Sequence, residues 1–230
     1  MSVDLTSLAG RVAVHGLDLR GAFHPESADD VPVLPTGRIP GTLVLVGNVG
    51  SGLWAVFAQS GEANDGAPHP LNRWTQRVLD RIAAEVDAAP LFPFGGPPYL
   101  PFQRWAMRAE PVAPSPLGIL IHPEYGLWHA YRGALAFAER LALPPRAERP
   151  RPCDGCPDRP CLSACPVTAF TDRGYDVPAC IGHIDGPVGG VCMTGGCLAR
   201  RACPVGAGFA HNAAQAAFHM QAFRKSNRSG

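Results

Sequence analysis

Cysteine is missing from the first 152 residues of this 230-residue chain; all eight cysteines lie between Cys153 and Cys203. Charge is scarce as well. Asp, Glu, Lys and Arg make up 17% of the sequence, and the formal net charge is +1. That balance provides no field for gathering nucleic acid or an anionic membrane surface, which disfavours both as partners. Beside 46% hydrophobic residues, so few charges exclude a disordered chain and leave enough apolar side chains for a core. Residues 1–6 lack the basic segment and apolar run of a secretory signal, which argues against secretion. Residues 39–61 form the longest uncharged stretch, long enough to raise a membrane span. Its middle, Gly47-Asn-Val-Gly-Ser-Gly52, suits a turn, so no span is expected. The chain therefore reads as cytoplasmic, in a reducing compartment where grouped cysteines more often hold metal than form disulfides.

Local pattern suggests an α/β (α+β) chain. Residues 11–19 alternate loosely and suit a first strand, and residues 42–46 are short, apolar and β-branched, as a buried strand is. A helix is expected over residues 53–59. The clearest helix covers residues 71–88, where Trp74, Val78, Ile82 and Val86 recur on one face. Residues 90–101 carry five prolines and two glycines around Phe92, Phe94 and Tyr99, a rigid aromatic loop. Residues 118–121 read as a second buried strand, and residues 132–143 fit strand or helix equally. Six prolines and four arginines in residues 144–160 mark a boundary. An Ala-rich helix is expected over residues 205–225, with residues 226–230 fraying. The resulting division is a first domain over 1–143, a Pro/Arg-rich linker over 144–152, a cysteine module over 153–206 and a C-terminal helix and tail over 207–230.

The cysteines fall into two related halves: Cys153-x2-Cys156-x4-Cys161-x3-Cys165-Pro166, and Cys180-x11-Cys192-x4-Cys197-x5-Cys203-Pro204. In bacterial two-cluster ferredoxins three close cysteines hold one cubane, and a fourth, before proline, reaches across to the other. The halves resemble that plan, and its crossed wiring would assign Cys153, Cys156, Cys161 and Cys203 to one 4Fe–4S cluster and Cys165, Cys180, Cys192 and Cys197 to a second. The x4 and x5 gaps depart from the regular spacing. Two four-cysteine zinc sites would use the same residues, but the two Cys-Pro endings favour iron–sulfur. The many glycines of the second half would let backbone amides approach the sulfurs.

A two-cubane module leaves the cysteine-free part to explain. Ile121-His-Pro-Glu-Tyr-Gly-Leu-Trp-His-Ala-Tyr-Arg-Gly133 resembles the Ile-His-Pro-x-(Phe/Tyr)-Gly-x-Trp-x-Ala-x-Arg-Gly segment of CblC-type cobalamin-processing proteins, and His69–Arg73 is similar to that family's helix start. Residues 120–128 with the cysteine pattern are also similar to epoxyqueuosine reductase, which joins a corrinoid domain to two 4Fe–4S clusters. The resemblance implies a nitroreductase-like CblC-type domain followed by a two-cluster ferredoxin-like module. It further implies a cobalamin bound base-off near His122, Tyr125, Gly126, Trp128, Arg132, Phe92 and Phe94. The implied function is passage of electrons through the clusters to the corrinoid, as a cobalamin reductase or decyanase would use them, from a flavodoxin- or ferredoxin-type reductase.

There are departures. The Asp-x-Ala-Pro motif that carries the catalytic aspartate of epoxyqueuosine reductase is missing from residues 108–117, and Asp87-Ala-Ala-Pro90 lies well upstream. Nor is the C-terminal helical-repeat domain of many such reductases expected from these residues. The neutral charge and the missing aspartate motif disfavour a reductive enzyme acting on tRNA, whereas upper-ligand removal does not call for that aspartate. The competing function is a ferredoxin-type carrier whose first domain docks a partner and binds no corrinoid. Taken singly, an arginine at a turn suits a surface ion pair and aromatics after a strand suit a core. Gly47-x-x-Gly50-x-Gly52 is a weak phosphate motif, and His183, His211 and His219 are expected to be structural.

Overall fold

The computed structural model describes residues 4–228. The chain forms two compact units: the first is Met1–Pro111 with His129–Glu148, the second Val112–Trp128 with Arg149–Gly230. Helix α1 (Leu5–Ala13) leads through Gly16 to strand β1 (Asp18–Phe23), and β2 (Thr42–Val49) follows. Short helices α2 (Trp54–Phe57) and α3 (Gly61–Asn64) precede the long helix α4 (Pro70–Glu85), then β3 (Ala88–Leu91) and α5 (Phe102–Ala109). The chain crosses to the second unit for a small ribbon, β4 (Ala113–Pro114) with β5 (Leu120–Ile121), and returns for β6 (His129–Phe137). The rest of the second unit is helix α6 (Pro160–Ser163), hairpin β7–β8 (Phe170–Thr171, Gly174–Tyr175), and helices α7 (Val177–Asp185), α8 (Gly190–Gly195), α9 (Leu198–Arg201) and α10 (Ala213–Arg228).

The first unit is a four-stranded antiparallel sheet, order β1-β2-β6-β3, with helices packed on it. All but the last residue of β2 are buried, because the strand is covered on both faces; this is why its sequence is a continuous apolar run. Helix α4 turns Leu71, Trp74, Val78, Leu79 and Ile82 inward, the spacing of one helical face. A buried polar network ties the sheet to the end of α5. Arg20, 1% exposed, forms a bidentate pair with Glu110 (3.0 and 2.9 Å) and donates to the Asn48 carbonyl, while the Tyr131 hydroxyl donates to Glu110 at 2.7 Å. Asp29, also buried, accepts two bonds from Arg108 (2.9 and 2.8 Å).

Several local expectations shift. Residues 11–13 end helix α1, capped by Asp4, which accepts from the Ser7 amide; the strand starts only at Asp18. Between them Gly16 has φ +66°, and a Cβ there would lie 2.2 Å from the Gly52 carbonyl oxygen. Helix α4 stops at Glu85, since Asp87 takes φ 52° and residues 88–91 join the sheet. Pro90 is accommodated because β3 is an edge strand. Residues 132–143 resolve as strand through Phe137, paired on both sides. The second buried strand shrinks to Leu120–Ile121, because residues 115–119 close a turn through Gly118 at φ +76°. The helix at residues 53–59 is one turn long, and the C-terminal helix begins at Ala213, after a 3-10 turn at Ala207–Phe209. Residues 226–228 are helical, and 229–230 lie outside the described residues. Helices α5 and α7 have no counterpart in the sequence reading. Among the described residues no helix is long and apolar enough to cross a membrane.

Removing one member of a buried, hydrogen-bonded ion pair strands the other charge. Arg20→Ala is expected to lower the unfolding free energy by about 3–5 kcal/mol, read from urea melts against Arg11→Ala, whose pair with Glu85 is exposed. A loss below about 1 kcal/mol, the level of a surface pair, would contradict a structural role for this network.

Candidate metal centre

The second unit is assembled around little apolar material. Its small core contains Leu117, Ile121, Leu127 and Ala199 with Cys203, and Cys153, Cys161, Cys165 and Cys197 pack against it. Three of those residues come from the 112–128 segment, 26 to 36 positions before the first cysteine. Short irregular elements place the thiols. Cys153 lies in the 3-10 turn Pro152–Gly155 with Cys156 at its end, Cys161 in α6, Cys180 in α7, Cys192 in α8 and Cys197 at the N-terminus of α9. All eight are free thiols.

Cys203 comes to the first half of the motif. Cys153, Cys156, Cys161 and Cys203 line one small apolar cavity with prolines 152, 160 and 204. Burial pushes the Cys153 thiol up, and repulsion from Cys203, Cys161 and Cys156 adds to it; Cys161 and Cys203 are raised in the same way. Cys165 joins the other half instead. Cys180, Cys192 and Cys197 are raised by burial first and then by one another or by Cys165. Cys203 thus lies with the thiols of the first half, and Cys165 acts on those of the second. Among the described residues no three Cys, His, Asp or Glu side chains close on a point as ligands of a single ion would.

The turn holding His122, Tyr125, Gly126 and Trp128 belongs to this second unit. The backbones of His122 and Gly126 are mutually hydrogen-bonded, and His122 Nδ1 accepts from the Glu124 and Tyr125 amides (3.1 and 3.2 Å) while its ring stacks on Tyr125 at 4.2 Å. Gly126 has φ +57°, and a Cβ there would lie 1.9 Å from the Val205 carbonyl oxygen. The turn therefore meets, backbone to backbone, the segment that follows Cys203. Trp128 is buried, 4.6 Å beneath the Arg200 guanidinium and 5.3 Å from the His211 ring. Arg200 donates to the Leu127 carbonyl, and burial lowers its pKa to about 10.

Phe92, Phe94 and Arg132 lie in the first unit. The two phenyl rings stack at 5.2 Å, and the Arg132 guanidinium lies 5.7 Å over Phe94. Arg132 donates to Thr75 Oγ1 (3.3 and 3.2 Å) and Asn72 Oδ1 (2.9 Å), with no carboxylate partner among the described residues. Burial lowers its pKa to about 10. A fork held by two neutral oxygens keeps its charge available for an anionic or carbonyl-bearing ligand.

Two site residues escaped the sequence reading. The Tyr175 hydroxyl donates to Cys180, and His183 Nε2 lies 3.7 Å from Cys192 Sγ, so His183 faces a thiol instead of filling a purely structural place. The signal for His183 was its position one helical turn after Cys180; Tyr175 had none.

The fold and the thiol groups define a class: a mixed α/β chain with a small antiparallel sheet and an eight-thiol unit. No protein-family model matches the chain, and no curated protein does. Solved structures do. The chain is similar to a selenomethionine-labelled epoxyqueuosine reductase, at 15% identity over 80% of this chain and 52% of that one, TM-score 0.46. It is similar to an epoxyqueuosine reductase solved with a tRNA-Tyr epoxyqueuosine-modified stem loop, at 14% identity over 90% and 67%, TM-score 0.47. It is also similar to epoxyqueuosine reductase from Bacillus subtilis with its catalytic loop swung out of the active site, at 15% identity over 90% and 66%, TM-score 0.50. The chain spans about half the length of the first of these and about two thirds of the others. At these identities the likeness is one of fold, carried by the Bacillus subtilis structure.

His211 supplies a pH test of the second unit. Burial, then Arg200 and His219, lower its pKa to about 3. The unfolded chain takes up that proton near pH 6.5, so stability present above pH 6.5 is lost as pH falls from there toward 3. Between pH 7.5 and 5.5 the wild type is expected to lose about 1 kcal/mol more than His211→Gln in urea unfolding. Equal losses would contradict a buried neutral imidazole.

Proposed function

We propose that this chain is an iron–sulfur oxidoreductase that holds two 4Fe–4S clusters, one on Cys153, Cys156, Cys161 and Cys203 and one on Cys165, Cys180, Cys192 and Cys197, and delivers electrons to a corrinoid bound by its nitroreductase-like first domain. The observation that carries this reading is Cys203, which lines one cavity with Cys153, Cys156 and Cys161 although about forty residues or more separate it from them in sequence. The residues fit the group: each set crowds half-buried thiols whose pKa values are raised by burial and mutual repulsion, and a cationic iron core relieves both by holding them as thiolates. Bound clusters supply one-electron transfer and a corrinoid supplies the cobalt chemistry of reduction or upper-ligand removal.

The protein's own part is orientation and exclusion of water. On the first unit, Phe92 and Phe94 present a flat apolar surface, and Arg132 offers a fixed fork for a carboxamide or phosphate of the corrinoid. On the second, the backbone of the turn carrying His122, Tyr125, Gly126 and Trp128 steadies the segment after Cys203. A flavodoxin- or ferredoxin-type reductase is the proposed donor. The fold likeness to epoxyqueuosine reductase supports the iron–sulfur redox class.

Anaerobically purified protein is expected to be brown, with about eight irons and eight sulfides per chain, and Cys203→Ser to lose about half of them. Colourless protein carrying zinc would overturn the cluster assignment. Addition of cob(II)alamin is expected to shift its absorption toward the base-off form at micromolar protein, and Arg132→Ala to weaken binding about tenfold. No spectral change with the wild type would remove the corrinoid and leave an electron carrier.

A further inference from the structure

Exposure does not separate the two cysteine sets. Each has one buried thiol, Cys203 in the first and Cys192 in the second, and three half-buried ones. Their polar surroundings do differ. Around the second set the Tyr175 hydroxyl donates to Cys180, His183 Nε2 lies 3.7 Å from Cys192 Sγ, and the Ala169 amide donates to Cys165 Sγ at 3.3 Å. The Leu198 amide donates to Cys192, and the Ala199 and Arg200 amides to Cys197. The half-buried Arg200 guanidinium, which has no carboxylate partner among the described residues, interacts electrostatically with Cys197. Around the first set the donors among the described residues are backbone only, Leu162 to Cys161 and Val205 to Cys203, and the cavity wall is prolines 116, 152, 160 and 204 with Ile121 and Val205, Arg159 being its one charged residue. Two cations stand by that set, Arg159 in the cavity lining and Arg151 beside Cys153, but both are exposed, where their field is screened by solvent and salt.

Reducing a cubane adds one negative charge, and hydrogen bonds to its sulfurs or a nearby buried cation stabilise that charge. We infer that the cluster on Cys165, Cys180, Cys192 and Cys197 has the higher reduction potential, with Tyr175, His183 and Arg200 as the residues that raise it. The inference rests on the two-cluster reading above. The first electron delivered by a low-potential donor oxidised in the same step then settles on this cluster, converting it from the oxidised to the one-electron-reduced state. The cluster on Cys153, Cys156, Cys161 and Cys203 is reduced only by a second electron. It serves as a transit point unless the donor is strong enough to hold both reduced.

The test is a potentiometric titration of anaerobically purified full-length protein, followed by electron paramagnetic resonance. Two separated reduction waves are expected. In Tyr175→Phe with His183→Leu the wave at higher potential should move to lower potential, while the other stays, so that the gap narrows. Arg200→Gln should move the same wave in the same direction, and it carries the test where the double variant loses iron. Coincident waves in the wild type, or variants that shift only the wave at lower potential, would overturn the inference while leaving the clusters in place. A preparation with about eight irons and no reducible signal, or with no iron, would overturn the underlying reading instead.

Discussion

Thiols crowded into a half-buried pocket are poor company for one another. Desolvation disfavours each thiolate, and the charge of every neighbour disfavours it further, so an empty pocket of four keeps its protons and gains little by closing. A cationic core reverses both effects at once. This electrostatic constraint shapes the second unit: Leu117, Ile121, Leu127 and Ala199 around Cys203 make a slender core, and short helices and a 3-10 turn carry thiols of both halves. In such an assembly ligand binding supplies folding free energy that the apolar core does not. The first unit is built on the opposite principle. Its sheet is covered on both faces, and its few buried charges are paired, as Arg20 is with Glu110 and Asp29 with Arg108.

Residues 112–128 are where these two principles meet in one stretch of chain. The segment leaves the first unit after α5, contributes Leu117, Ile121 and Leu127 to the core beneath the thiols, and returns as β6, the central partner of β2. Gly126 and Gly206 meet there without side chains, since a Cβ on either would collide with the other's backbone neighbours. The aromatic and histidine content of the turn, which from sequence resembles a corrinoid-binding motif, thus has structural work within the second unit as well.

The placement of Cys203 with the first half of the motif was legible because its Cys-Pro ending repeats that of Cys165-Pro166. Strand β2 and the body of α4 were legible for a similar reason, since burial on two faces or on one helical stripe leaves a periodic trace. What stayed hidden depends on distant partners. The departure of helix α4 into β3 turns on the backbone of Asp87, and the entry of Leu117 into a core with Cys203 joins positions more than eighty residues apart. Tyr175 donates to a thiol from a hairpin that no local pattern announced. That Arg132 has no acidic partner among the described residues is likewise a fact of three dimensions, because taken singly in the sequence it suits a surface ion pair.

Mössbauer spectroscopy of protein produced with iron-57 and kept anaerobic tests the central claim most directly. Two populations of equal area, each with the parameters of a cubane bearing four thiolate ligands, are expected, and Cys203→Ser should change one of them while leaving the other as it was. A single cluster population in the wild type, or a change in both populations on replacing Cys203, would contradict the division of the eight cysteines on which the account stands.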